Sequence, residues 1–191
     1  MKEKIKYYIK IYESVISESD CNFILNEYIN SNEWFPSKVS YNNTQNTNED
    51  LDIRNCDMIE ISQLLVLQKN FNIRKKIDTI IFEHANKTLL QYHQEFSFCS
   101  VSGDCGYTLL RYNKGQFFKT HIDQIQGSRE LSCSIILNDN YEGGEFCFLK
   151  GEIEVKPPKG SIIIFPSNFM FPHEIKTIRS GSRYSIITWF F

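Results

Sequence analysis

The stretch FFKTHIDQ, residues 117–124, alternates as a strand does and carries a histidine and an aspartate two positions apart. On a strand, His121 and Asp123 project to one side and Ile122 to the other. An ionised carboxylate turned into a β core is costly unless a cation or strong donors compensate it. No lysine or arginine nearby in the sequence alternates onto that face, so a metal ion is the compensating charge. Two protein ligands hold a metal poorly, and a third must come from another strand. Of the chain's four histidines, His84 and His93 fall nine residues apart on a predicted helix, more than two turns, and make poor joint ligands. His173, in FMFPHEIKTI, remains as the third ligand.

Two imidazoles and one carboxylate on one octahedral face leave three positions open. That set suits ferrous iron, Fe(2+), which must still receive a cosubstrate and O2. Ten residues past His173, Arg183 opens the run RYSIITWFF, in which Arg183, Ser185, Ile187 and Trp189 alternate onto one face. An inward arginine needs an anion, and its planar fork matches a carboxylate. 2-Oxoglutarate answers both demands, one end chelating iron and the other pairing with Arg183. A lone histidine on an apolar strand is more often a satisfied core residue than a ligand. The ordered set separates the two readings: H-x-D, one histidine about fifty residues later, and a basic residue ten further on.

The elements that must position these residues fall in two halves. SESDCNFILNEYINSN starts with capping residues and predicts a helix over about 18–31, with Phe23, Ile24, Glu27 and Tyr28 at helical spacing. A longer helix is predicted over about 68–94, burying Phe71, Ile73, Ile77, Ile80, Ile81, Leu89 and Leu90. Between them, residues 37–52 are rich in Asn and Thr with almost nothing to bury, and read as a loop: either a solvated connection or a lid. From residue 105 the helical period disappears. Eight short β-branched or aromatic runs follow, separated by Gly, Pro, Asn and Asp. The expected fold is mainly β with flanking helices (α+β), a jelly-roll barrel with helices packed outside. Residues 1–191 form one domain, with 1–100 as helical support and 105–191 as the catalytic core.

Composition narrows the function. At 191 residues and 41% hydrophobic content the chain can bury a real core. With 21 basic and 23 acidic residues and a net charge of −2, nothing favours a nucleic-acid backbone as partner. The N-terminus interleaves lysine and glutamate with apolar residues and lacks a signal-peptide core, and no run is long enough to span a membrane. The expectation is a soluble cytoplasmic protein. Six scattered cysteines, without a C-x-x-C pair, read as reduced thiols, with Cys133 and Cys147 as small core residues.

Residues 107–191 resemble the iron and 2-oxoglutarate dioxygenases of the prolyl 4-hydroxylase-like superfamily, and most of all the bacterial PKHD-type hydroxylases. The resemblance rests on RYNKGQFFKTHIDQ, RELSCSIILNDNYEGGEFCF, VKPPKGSIIIFPS and PHEIKTIRSGSRYSIITWF, an ordered set over somewhat under half of the chain. It implies a double-stranded β-helix, with His121, Asp123 and His173 holding Fe(2+) and Arg183 pairing with the distal carboxylate of 2-oxoglutarate. It further implies that Tyr112 lines the cosubstrate pocket, that Ser132 stands where a small hydroxyl residue is common, and that Trp189 lies near the end of the last strand. Gly143 and Gly144 match a turn. Where some animal relatives carry a tyrosine on the third strand to help hold the distal carboxylate, this chain has Ile136. Arg183 is then expected to rely on Tyr112 or Ser132.

The activity so implied is hydroxylation of an unactivated C–H bond, with 2-oxoglutarate and O2 consumed, succinate and CO2 released, and ascorbate as an auxiliary reductant. A peptidyl or protein side chain, proline foremost, is the implied substrate; a free amino acid or other small molecule is the alternative. Trp34, Phe35 and Tyr41 stand near the loop as substrate contacts or as ordinary packing aromatics. Two other readings stay open: a cupin-like barrel that binds metal without turnover, and a demethylase using the same hydrogen abstraction. The sequence leaves the oligomeric state undetermined.

Overall fold

The computed structural model describes residues 2–40, 47–62, 71–124 and 128–191. Two antiparallel sheets form its centre. The larger runs, in spatial order, β1 (Lys10–Tyr12), β13 (Ile162–Pro166), β9 (Leu131–Ile136), β16 (Ser182–Phe190), β7 (Thr108–Asn113), β6 (Asp57–Glu60) and β2 (Phe35–Pro36). The smaller runs β12 (Ile153–Val155), β11 (Phe146–Phe148), β14 (His173–Ile175), β8 (Phe117–His121) and β5 (Arg54–Asn55). Two ribbons, β10 (Glu142–Gly143) with β15 (Ile178–Ser180) and β3 (Val39–Ser40) with β4 (Thr47–Asn48), complete the strands.

All eight apolar runs anticipated after residue 105 are strands. From β7 onward the chain passes back and forth between the sheets, so that β7, β16, β9 and β13 face β8, β14, β11 and β12. This four-on-four coil is the double-stranded β-helix. The hydrogen-bond ladders end at β1 and β2 in one sheet and at β12 and β5 in the other, so among the described strands the two sheets make a sandwich rather than a closed barrel.

Neighbouring residues on the large sheet serve two different cores. Leu109, Ile135 and Ile164 pack outward with Ile77 and Ile81 of the long helix, while Leu110, Ile136 and Ile163 pack inward with Phe148 and Phe165. Coverage on both faces explains why β9 and β13 read as unbroken apolar runs instead of alternating ones.

Among the described residues, three helices precede the double-stranded β-helix: α1 (Lys2–Lys6), α2 (Glu18–Tyr28) and α3 (Phe71–Glu95). Ser17 caps α2 by accepting from the Asp20 amide at 3.1 Å, and Ile24 and Tyr28 face the core. On α3, Ile77, Ile81 and Leu89 are buried as anticipated, but Phe71, Ile73 and Leu90 face outward. The inward stripe instead passes through Arg74, Ala85, Thr88 and Tyr92. Arg74 is tolerated there because Glu27 of α2 and Glu33 bind it at 3.1 and 2.7 Å.

Residues 1–100 are more than helical support, since β1, β2, β5 and β6 extend both sheets. The segment 37–52 also buries more than its composition suggested: Ser37 and Val39 are inside. Tyr41 and the rest of 41–46 lie outside the described residues. All six cysteines are free, with Cys133 and Cys147 buried. No helix among the described residues is long and apolar enough to cross a membrane.

Candidate active site

β8 and β14 pair so that His121 and His173 are directly opposed. This register brings one ligand atom each from His121, Asp123 and His173 within 4.8 Å of one another. The Nε2 atoms of both histidines lie 3.5 Å from the Asp123 carboxylate, His121 nearer Oδ1 and His173 nearer Oδ2. Each imidazole places its Nδ1 on a main-chain carbonyl two residues earlier, His121 on Lys119 at 2.9 Å and His173 on Phe171 at 3.1 Å. A proton on Nδ1 donated there leaves each Nε2 lone pair free for a metal. Burial, reinforced by neighbouring His121, pushes His173 down to about 4 despite the opposing pull of Asp123. It is therefore neutral at pH 7, as a ligand must be.

Asp123 departs from the anticipated strand. β8 ends at His121, and the chain beyond it is held by other means. The Gln124 amide donates to Ser167 O at 3.0 Å, and Arg129 Nη1 donates to Asp123 O at 3.2 Å. Ser132 Oγ, on β9, donates to Asp123 Oδ2 at 2.7 Å and shares a hydrogen bond with Ser167 Oγ. Burial would raise the Asp123 carboxyl, but His173, His121 and the Ser132 hydroxyl together hold it well below the usual carboxylate range.

Arg183, anticipated as inward, is 1% exposed. Its Nη1 donates to Ser185 Oγ at 2.7 Å, while Nε and Nη2 are buried with no partner. These two nitrogens form one edge of the guanidinium, the edge a carboxylate occupies with two parallel hydrogen bonds. Tyr112 and Phe146 stand beside it, with ring centroids 5.6 and 5.1 Å from the guanidinium carbon. Burial raises the Tyr112 phenol, so it stays protonated.

His121, Asp123, His173, Arg183, Tyr112, Ser132 and Trp189 all border one cavity of about 460 Å3. The sequence reading is altered in detail. Ser132 serves Asp123 rather than Arg183, because the bend after His121 brings the carboxylate to β9. Trp189 lies under Arg129, whose guanidinium carbon is 3.6 Å from its ring. Trp34 packs against Tyr184 away from the cavity, and Phe35 is exposed on β2.

Three cavity residues escaped the sequence. Ser134 has a buried Oγ with no partner and alternates with Ser132 on β9. Its position two residues along the same strand was the available signal. Arg54 and Arg129 also line the cavity. The first arrives through the β5–β8 pairing, and the second through the segment after Asp123. No local pattern marks either, since neither alternates along the 117–124 stretch with His121 and Asp123.

The residues fit the groups the sequence called for. A His, Asp, His donor set with both Nε2 lone pairs free suits ferrous iron, and an orphaned guanidinium edge in the same cavity suits a carboxylate. Residues 107–191 match the 2OG-Fe(II) oxygenase superfamily. A PKHD-type hydroxylase of Prochlorococcus marinus is 31% identical over 137 residues, 68% of this chain and 59% of that protein. One from Acinetobacter baumannii is 34% identical over 92 residues, 41% of this chain and 40% of that protein. The chain thus spans about half the length of these relatives. In fold it is similar to a Trichoplax adhaerens prolyl hydroxylase solved with a peptide of the hypoxia inducible factor oxygen degradation domain, with TM-score 0.77 and 18% identity over 96% of this chain and 83% of that one. By these matches residues 107–191 fall in the 2OG-Fe(II) oxygenase superfamily, and the chain is similar to the PKHD-type hydroxylases.

Proposed function

We propose that the protein is an Fe(II)- and 2-oxoglutarate-dependent dioxygenase that hydroxylates an unactivated C–H bond of a peptide or protein side chain, with proline as the leading case. One observation carries this reading: a His, Asp, His donor set and the unpaired Nε–Nη2 edge of Arg183 open into the same cavity. The two ends of a short dicarboxylate keto acid have one receptor each. The prolyl side chain is supported by the likeness to a prolyl hydroxylase solved with a peptide. Soluble, cytoplasmic residence remains part of the same reading.

When bound, ferrous iron would supply the sites at which the keto acid and O2 meet, with O2 as the oxidant and the keto acid as the source of the other two electrons. The chain's own contribution is positioning and exclusion of water. His121 and His173 present fixed tautomers through their Nδ1 contacts. Ser132 fixes the rotation of the Asp123 carboxylate. Arg183, itself held by Ser185, receives the distal carboxylate, with the neutral Tyr112 phenol alongside. Leu110, Phe146, Phe165, Ile175 and Ile187 line the remaining wall and keep the cavity apolar.

The test is anaerobic titration of the metal-free protein with Fe(II) and then 2-oxoglutarate, followed by aerobic assay of succinate release against a peptide panel, read by a mass gain of one oxygen. Stoichiometric binding of both with iron-dependent succinate is expected. Tight iron binding with no 2-oxoglutarate uptake would instead mark a metal-binding barrel without turnover.

A further inference from the structure

Two arginines border the cavity beyond those the metal and the keto acid require. Arg54, half-buried on β5, has its guanidinium carbon 4.7 Å from the Phe118 ring, gives Nη1 to Lys38 O at 3.2 Å, and keeps a buried Nε with no partner. Phe118 in turn stacks on His121, ring centroids 3.5 Å apart. Arg54 is thus separated from a metal ligand by one aromatic ring. Arg129 has its guanidinium carbon 3.6 Å from the centroid of the Trp189 ring and is tied to the main chain of Asp123. The two arginines bracket the His121–Asp123 side of the centre, within range to repel one another. Lys38 lines the same cavity.

The charges decide what these cations await. Ferrous iron, the Asp123 carboxylate, doubly negative 2-oxoglutarate and Arg183 sum to zero. Lys38, Arg54 and Arg129 are left over, and among the described residues none of them forms an ion pair with a lysine- or arginine-binding carboxylate. Half-buried guanidinium groups that border one cavity are stabilised by an anion placed near both. Asp123 attracts both guanidinium groups, but its carboxylate oxygens are engaged by the two imidazoles and Ser132.

We propose that Arg54 and Arg129 receive a carboxylate of the substrate, so that the hydroxylated carbon lies close to an acidic group. The inference rests on the dioxygenase reading and adds the substrate's charge. The carboxylate has two possible sources: the acidic side chain of a residue next to the target in a peptide, or the α-carboxylate of a free amino acid. Planar, two-donor guanidinium recognition is common to both.

Binding to the anaerobic Fe(II)–2-oxoglutarate protein tests this directly, read by isothermal titration calorimetry. Two matched pairs serve as probes: N-acetylated, C-amidated Asp-Pro and Asn-Pro peptides, and L-proline with L-prolinamide. The acid of at least one pair is expected to bind about tenfold more tightly than its neutral partner, and the pair that discriminates identifies the source. In Arg54→Gln and Arg129→Gln proteins the preference should shrink severalfold, while in the Arg54→Gln protein calorimetric affinity for 2-oxoglutarate stays within about twofold. Equal binding of acid and amide in both pairs overturns the proposal, as does a preference that survives both substitutions. Failure of the protein to take up 2-oxoglutarate at all is a separate result, which overturns the dioxygenase reading and this inference with it.

Discussion

His121 and His173 are directly opposed across the β8–β14 ladder, and each turns Nδ1 onto the carbonyl of the residue two positions before it. The same local device therefore sets both imidazoles, and strand register sets their separation. His173→Ala should lower Fe(II) affinity by at least about a hundredfold, since one of three ligands is lost. Equilibrium dialysis of the metal-free protein measures this, and an unchanged far-ultraviolet circular dichroism spectrum would show that the fold persists. Undiminished iron binding would remove His173 from the metal.

Ser132 donates to Asp123 Oδ2 at 2.7 Å from the wall of the cavity. Ser132→Ala should cut Fe(II) affinity about 10- to 100-fold, the usual effect of losing a hydrogen-bond partner behind a metal ligand. Affinity for 2-oxoglutarate, measured with the iron site saturated, should scarcely change. The opposite pattern would return Ser132 to the cosubstrate pocket.

Arg183→Ala should raise the dissociation constant for 2-oxoglutarate at least tenfold, through loss of a charge-assisted pair of hydrogen bonds of about 1.5 to 3 kcal/mol. Iron affinity should be spared. Arg183→Lys should recover little, because a point charge cannot present two parallel donors. Calorimetry on both proteins decides the matter, and an equal loss of iron and keto acid would make Arg183 structural.

Gly144 lets the chain pass beside that arginine. Its φ is +68°, and a Cβ there would come within 2.6 Å of Ile178 Cδ1 and 3.0 Å of Arg183 Cδ. Gly144→Ala should cost about 1 to 3 kcal/mol in denaturant unfolding and also weaken 2-oxoglutarate binding by displacing the guanidinium. A substitution that is silent in both measurements would show that the turn relaxes freely.

Arg74 supplies a contrast far from the site. Arg74→Ala removes the buried cation that Glu27 and Glu33 share, and should lower unfolding free energy by about 1 to 3 kcal/mol. Keto-acid affinity at low temperature, where the protein is still folded, should be unaltered. A coupled loss of binding would mean that the helices tune the cavity.

The chemistry-bearing spacing, H-x-D, then His173, then Arg183, was legible because alternation along a strand is a local rule, and eight β runs were legible because turn residues punctuate them. Local period also found α2 and α3, yet it misjudged the faces of α3: Arg74 points inward only because two glutamates from elsewhere meet it. Asp123 leaves its strand because Arg129, Ser132 and Ser167 capture the chain there, and none of those contacts is written in its immediate neighbours. Arg54 reaches the cavity through pairing with Phe118, 64 positions later. Residue type and short-range period thus determined which side chains could coordinate and pair. Which of them meet, and which cations are left facing the cavity without an anion, was decided by non-local strand register, because a β ladder joins segments whose sequences carry no information about each other's position.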